Sequence, residues 1–83
     1  MMNHTLTILL QNESGALARV AGLFAARGYN IDTLTVGPTH DETVSRLVLC
    51  LRCNDAGLSQ ILQQTRKLVD VLQVSHSATA LAA

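Results

Sequence analysis

The spacing of apolar residues switches back and forth between a period of two and a period near 3.6, and this alternation leaves few folds open. Thr5-Leu6-Thr7-Ile8-Leu9-Leu10-Gln11 puts Leu6, Ile8 and Leu10 on one face, as a half-buried strand requires. From Ala16 to Arg27 the spacing turns helical, with Leu17, Val20, Ala21 and Phe24 on one side, Asn12 or Ser14 as N-cap, and Gly28 as the stop. Tyr29–Val36 reads as a second strand and Gly37–Thr43 as a polar turn. Val44–Arg52 reads as a third strand, with Leu47, Leu49 and Leu51 opposed to Val48 and Cys50. Asn54 or Asp55 then caps a second helix carrying Leu58, Ile61, Leu62, Thr65, Leu68 and Val69, and Val71–His76 closes as a fourth strand.

The order strand, helix, strand, strand, helix, strand, with right-handed crossovers, predicts an α+β fold. It is a ferredoxin-like βαββαβ sandwich, a four-stranded antiparallel sheet with two helices on one face. Residues 1–77 form one domain and residues 78–83 a frayed, small-residue tail. Eighty-three residues are too few for two cores, and one Phe, one Tyr and no Trp give little bulk to bury, so self-association is expected. Leu9, Val48 and Cys50 would lie among threonines on the sheet face without helices, a partly apolar surface that suggests an interface.

Six basic and six acidic side chains cancel, which leaves no long-range field to draw the chain onto nucleic acid or an anionic membrane. The apolar run Leu6–Leu10 is far below the ~20 residues of a spanning helix, and the first residues lack a basic stretch, so a cytoplasmic protein is expected. Cys50 and Cys53 form a C-x-x-C string, but an offset of three in a strand sends the thiols to opposite faces, where they cannot share a metal. His4, His40 and His76 are scattered and read as solvated; the acids form no pair on a helix face, and Ser14 has no nucleophile-elbow context. No catalytic constellation is evident, and no metal site is expected.

The informative segment is Asn12-Glu13-Ser14-Gly15-Ala16-Leu17. A helix N-terminus offers free N–H groups to a carboxylate, Gly15 permits close approach, and Asn12 carries both an amide donor and a carbonyl acceptor for the head of a small amino acid. The same residues also serve as plain helix caps. Arg27-Gly28-Tyr29-Asn30-Ile31 is the second cluster, either an ordinary turn or a second polar contribution to a ligand across a dimer interface.

Several strings together resemble the ACT domain of acetohydroxyacid synthase small subunits: Leu9–Leu17, Gly22-Leu23-Phe24, Arg27–Ile31, Leu34-Thr35-Val36, Pro38-Thr39, Ser45-Arg46 and Lys67–Val71. The resemblance implies a regulatory subunit without catalytic residues. It would activate a catalytic subunit that itself holds thiamine diphosphate, Mg and FAD, in the synthesis of valine, leucine and isoleucine, with valine as feedback inhibitor. It implies a homodimer through the ACT domains, with Asn12, Gly15, Ala16 and Leu17 of one protomer and Asn30 and Ile31 of the other around the effector, and no cofactor on this chain. Many members continue into a second domain of similar size. The alternative is a free-standing ACT sensor that serves another enzyme or a transcription factor.

Overall fold

The computed structural model describes residues 2–79. The elements are β1 (Met2–Gln11), α1 (Ala16–Ala26), β2 (Asn30–Pro38), β3 (Val44–Cys53), α2 (Asp55–Arg66) and β4 (Val71–Thr79). The strands form one antiparallel sheet in the order β2-β3-β1-β4, so the predicted ferredoxin-like sandwich is the fold observed.

Alternation fixes the sheet's register. Leu6 lies opposite Leu49 and Ile8 opposite Leu47, and Leu6, Ile8, Leu10, Leu47, Leu49 and Leu51 are all buried. A slip of one residue would turn this whole set to the open face. Ala16, Val20 and Phe24 of α1 and Leu58 and Ile61 of α2 close over them. Thr65 is also fully buried, and its hydroxyl is satisfied by donating to the Ile61 carbonyl at 2.6 Å. Tyr29 joins the two helices: its ring meets Phe24 edge-on at 6.3 Å, and its hydroxyl donates to the Gly57 carbonyl at 2.8 Å.

The structure departs from the sequence reading at several points. β1 begins at Met2 rather than Thr5, because His4 continues the inward series of Leu6, Ile8 and Leu10. His4 is buried, not solvated, and its Nδ1 lies 3.1 Å from Nε2 of His76, so one ring donates and the other accepts. β4 runs to Thr79, since its backbone pairs with Asn3 and His4 beyond His76; the tail expected from 78 onward lies outside the described residues from position 80.

Leu17 is 39% exposed, because positions 16, 20 and 24 already form the buried stripe and Leu17 is turned toward the β2 edge. Val69 is 86% exposed, because α2 stops at Arg66 and the chain turns before reaching it. Neither Asn12 nor Ser14 caps α1. The N-cap is Gly15, with φ 87°, and no side chain accepts from the first turn.

Candidate functional site

The 12–15 connection is held by its own backbone. The Asn12 N–H donates to the Thr43 carbonyl at 2.7 Å and Glu13 N–H to the Gln11 carbonyl at 2.8 Å, while Ala16 N–H donates to the Glu13 carbonyl at 3.1 Å. Asn12 Nδ2 donates to the Glu42 carbonyl at 3.1 Å, which ties the connection to the β2–β3 turn. The contrast with α2 is instructive: there Asn54 Oδ1 accepts from Gly57 N–H at 2.8 Å, whereas α1 begins with no such cap. Beside this uncapped start lies a cleft of about 120 Å³, walled by Leu10, Asn12, Ala16, Leu17, Val36 and Ser45. It is small, with one polar side and one aliphatic side.

Gly15 lies in the left-handed region, so an L side chain there is strained. A Cβ at this position would also come 3.0 Å from Nη1 of Arg19. Arg19 is pinned from its other side: its Nε donates to Oδ2 of the buried Asp70 at 2.5 Å. The Arg19 bond holds the Asp70 carboxyl below the usual carboxylate range, and the Asp70 bond in turn raises the Arg19 guanidinium. The Asp70 carbonyl accepts from Gln11 N–H at 2.8 Å, so the turn before β4 grips the 12–15 connection from both ends. The sequence reading placed Asp70 in a matching string and gave neither residue a role; the only signal was an acid set between Val69 and Val71.

Asn12, Gly15, Ala16 and Leu17 thus come together at one end of the sheet. Asn30 and Ile31 do not join them. Asn30 lies level with Arg52 and, through it, Asn3, at the other end of the strands. Asn3 to Gln11 is eight steps along β1, roughly 27 Å at about 3.4 Å per residue. No single small molecule spans that within one chain. Asn30 Nδ2 donates to Asp32 Oδ1 at 3.2 Å, Arg52 Nε pairs with Asp32 at 3.2 Å, and Ile31 packs on the core margin. Asn30 lines a larger cleft of about 680 Å³ with Arg27, Tyr29, Arg52 and Asn54.

Between the two ends runs β2, an edge strand of nine residues. Leu34 is 42% and Val36 44% exposed on the helix-bearing face, where Leu17 continues the apolar strip. The open face carries the half-buried Val48 and Cys50, as expected, with Thr5 Oγ1 3.5 Å from the Cys50 thiol. Hydrogen bonds from Thr33 and Thr5 lower the Cys50 thiol, whereas burial raises Cys53, which lies in the core on the opposite face. Among the described residues no group of three or more His, Cys, Asp or Glu could hold a metal ion, and no helix is long and apolar enough to cross a membrane.

Comparison with known proteins places these features in context. Residues 6–73 match the family described as AHAS small subunit-like ACT domain. The acetolactate synthase isozyme 3 small subunit of Escherichia coli K12 is 55% identical over 75 residues, covering 90% of this chain and 46% of that protein. The acetolactate synthase small subunit of Buchnera aphidicola subsp. Schizaphis graminum is 51% identical over 73 residues, covering 88% of this chain and 46% of that one. The crystal structure of the acetolactate synthase small subunit from Thermotoga maritima superposes with a TM-score of 0.85 at 38% identity, covering 92% of this chain and 47% of that chain. The chain spans about half the length of the curated relatives it matches.

Proposed function

The chain belongs to the family of AHAS small subunit-like ACT domains, and from that premise we propose that it regulates acetohydroxyacid synthase in branched-chain amino-acid biosynthesis. In this reading it binds the thiamine-diphosphate-dependent catalytic subunit in the cytoplasm, raises its activity, and senses valine as feedback inhibitor. It contributes no catalytic residue and no cofactor.

The observation that carries the sensing role is the split site. Asn12, Ala16 and Leu17 line a small cleft beside the helix start at Gly15, while Asn30 and Ile31 stand roughly 27 Å away at the other end of an exposed apolar edge strand. A second copy lying antiparallel along β2 brings its own Asn30 and Ile31 to the Pro38 end of the first, which is level with Ser45 and Leu10 in the cleft wall. Two-fold symmetry completes both sites at once. It also covers Leu17, Leu34 and Val36, which an edge strand otherwise leaves open to unwanted pairing. The aliphatic wall then selects a branched side chain, and the helix start and Asn12 take the polar head.

The test is Gly15→Asp with calorimetric titration of valine. Aspartate tolerates the left-handed backbone better than most residues, so the fold and the dimer survive, but its carboxylate occupies the place of the effector's. Loss of valine binding with an unchanged oligomeric state is expected. Wild-type affinity in the variant would remove the proposed site.

A further inference from the structure

We propose that two copies of the chain pair antiparallel through the Thr33–Gly37 stretch of β2, with Thr35 of each copy opposite itself on the two-fold axis. The inference rests on the dimer reading above and fixes the register that reading leaves open. β2 is an outer strand of the sheet, and residues 32–36 are all exposed. Leu34 and Val36 face the helix side, opposite the buried Leu49 and Leu47, while Thr33 and Thr35 face the open side, opposite Cys50 and Val48. On the other outer strand, β4, the one large exposed apolar side chain among the described residues is Leu72, which sits where the pairing with β1 is irregular. β2 is therefore the edge with a repeating apolar face to cover.

Residues directly opposite in an antiparallel pair share a face, so a symmetric pairing that keeps apolar with apolar centres on a residue and not between two. Centred on Leu34, it would set Val36 against the Asp32 region of the second copy; centred on Val36, it would set Leu34 against Pro38. Centred on Thr35, it sets Leu34 against Val36 twice and Thr33 against Gly37 twice, with no charged side chain in the ladder. Both ends then close where β2 cannot continue. Ile31 pairs with Leu51 and Thr33 with Cys50, neighbours on β3, so Asp32 is an extra residue that interrupts the ladder. Pro38 at the other end has no N–H to give. The bulge also draws Ile31 back one step. Ile31 of the second copy comes level with Pro38, and hence with Ser45 and Leu10 of the cleft wall, on the helix side with them. Asp32 asks nothing of a partner copy, since Arg52 of its own chain holds its carboxylate at 3.2 Å.

Disulfide trapping reads the register directly. Opposite residues stand about 4.5–5.5 Å apart at Cβ and diagonal ones about 7–8 Å, which is beyond the reach of a disulfide. Leu34→Cys, Thr35→Cys and Val36→Cys are made singly at these exposed positions in a Cys50→Ser background, where the remaining Cys53 is buried and its thiol pKa is raised by that burial. Under mild oxidation Thr35→Cys should form a covalent dimer with itself. Leu34→Cys and Val36→Cys should stay largely uncrosslinked alone and cross-link when mixed. A covalent dimer formed faster by Leu34→Cys alone, or by Val36→Cys alone, would put the axis elsewhere and overturn the proposal. A wild type that sediments as a dimer while none of the three variants cross-links also overturns it, and moves the dimer to another surface. A wild type that sediments as a monomer removes the dimer reading itself and the register with it, an outcome distinct from both.

Discussion

Gly15 and Gly28 begin and end the first helix region with nearly the same backbone, φ 87° and 73°, yet only one of them has a neighbour in the way. Alanine in the left-handed region costs about 1–2 kcal/mol, and about 0.4–1 kcal/mol returns through the stiffer unfolded chain. The net backbone loss is about 1 kcal/mol at either position, equivalent to about 4–8 °C in Tm for a domain of this size. At Gly28 nothing lies within 4 Å of the added methyl, so Gly28→Ala should lose that amount and no more. At Gly15 the methyl comes 3.0 Å from Nη1 of an arginine that its bond to Asp70 prevents from swinging clear. Gly15→Ala should therefore melt below Gly28→Ala. In an Arg19→Ala background, where the arm is gone, its cost should fall to that of Gly28→Ala. Circular-dichroism melts of the four variants against the wild type give the comparison. Equal costs for Gly15→Ala in both backgrounds would show that Arg19 does not crowd the added methyl, and a Gly28→Ala variant as stable as the wild type would show that the left-handed backbone carries no such cost.

His76→Ala removes the partner of His4 Nδ1 and leaves a buried ring with neither nitrogen bonded, since Nε2 already has no partner among the described residues; urea unfolding should show a loss of about 1–3 kcal/mol. Asp70 has a folded pKa below its unfolded value, so the unfolded state takes up its proton first as pH falls. The stability Asp70 contributes is fully present above the usual carboxylate range and is lost below about pH 4 as the folded value is crossed. Asp70→Asn should be less stable at neutral pH and show a shallower acid limb in unfolding midpoints followed with pH. Val36→Asp puts charge into the exposed strip of β2 and should shift sedimentation toward monomer with the fold retained, because the side chain is 44% exposed and outside the core.

The element order was legible because hydrophobic spacing carries it: Leu6-Ile8-Leu10, Leu47-Leu49-Leu51, Val20-Phe24 and Leu58-Ile61 are core in the structure as in the pattern. The failures have local causes. His4 reads as polar in a hydropathy pattern, and only the pairing of β1 with β4 brings it the ring of His76. Leu17 has the right character for a core position, but burial depends on whether an element lies opposite, and beside the β2 edge none does. Asn12 and Ser14 are good capping types, but α1 starts at Ala16, and the N-cap position falls on Gly15, which has no side chain to accept a bond. At the candidate site, Asn12, Gly15, Ala16 and Leu17 were legible as a cluster because they are consecutive in sequence. Arg19 and Asp70 were not, since 51 residues separate them and their meeting is a product of the fold. The distance between Asn12 and Asn30 was likewise invisible until the register put them at opposite ends of the sheet.

Regulation of acetohydroxyacid synthase is measured as acetolactate formation by the cognate catalytic subunit alone, with this chain added, and with chain plus valine. The rate should rise when the chain is added and fall when valine follows. No change in rate on adding the folded chain would contradict it and move the assignment to a free-standing ACT sensor of another protein.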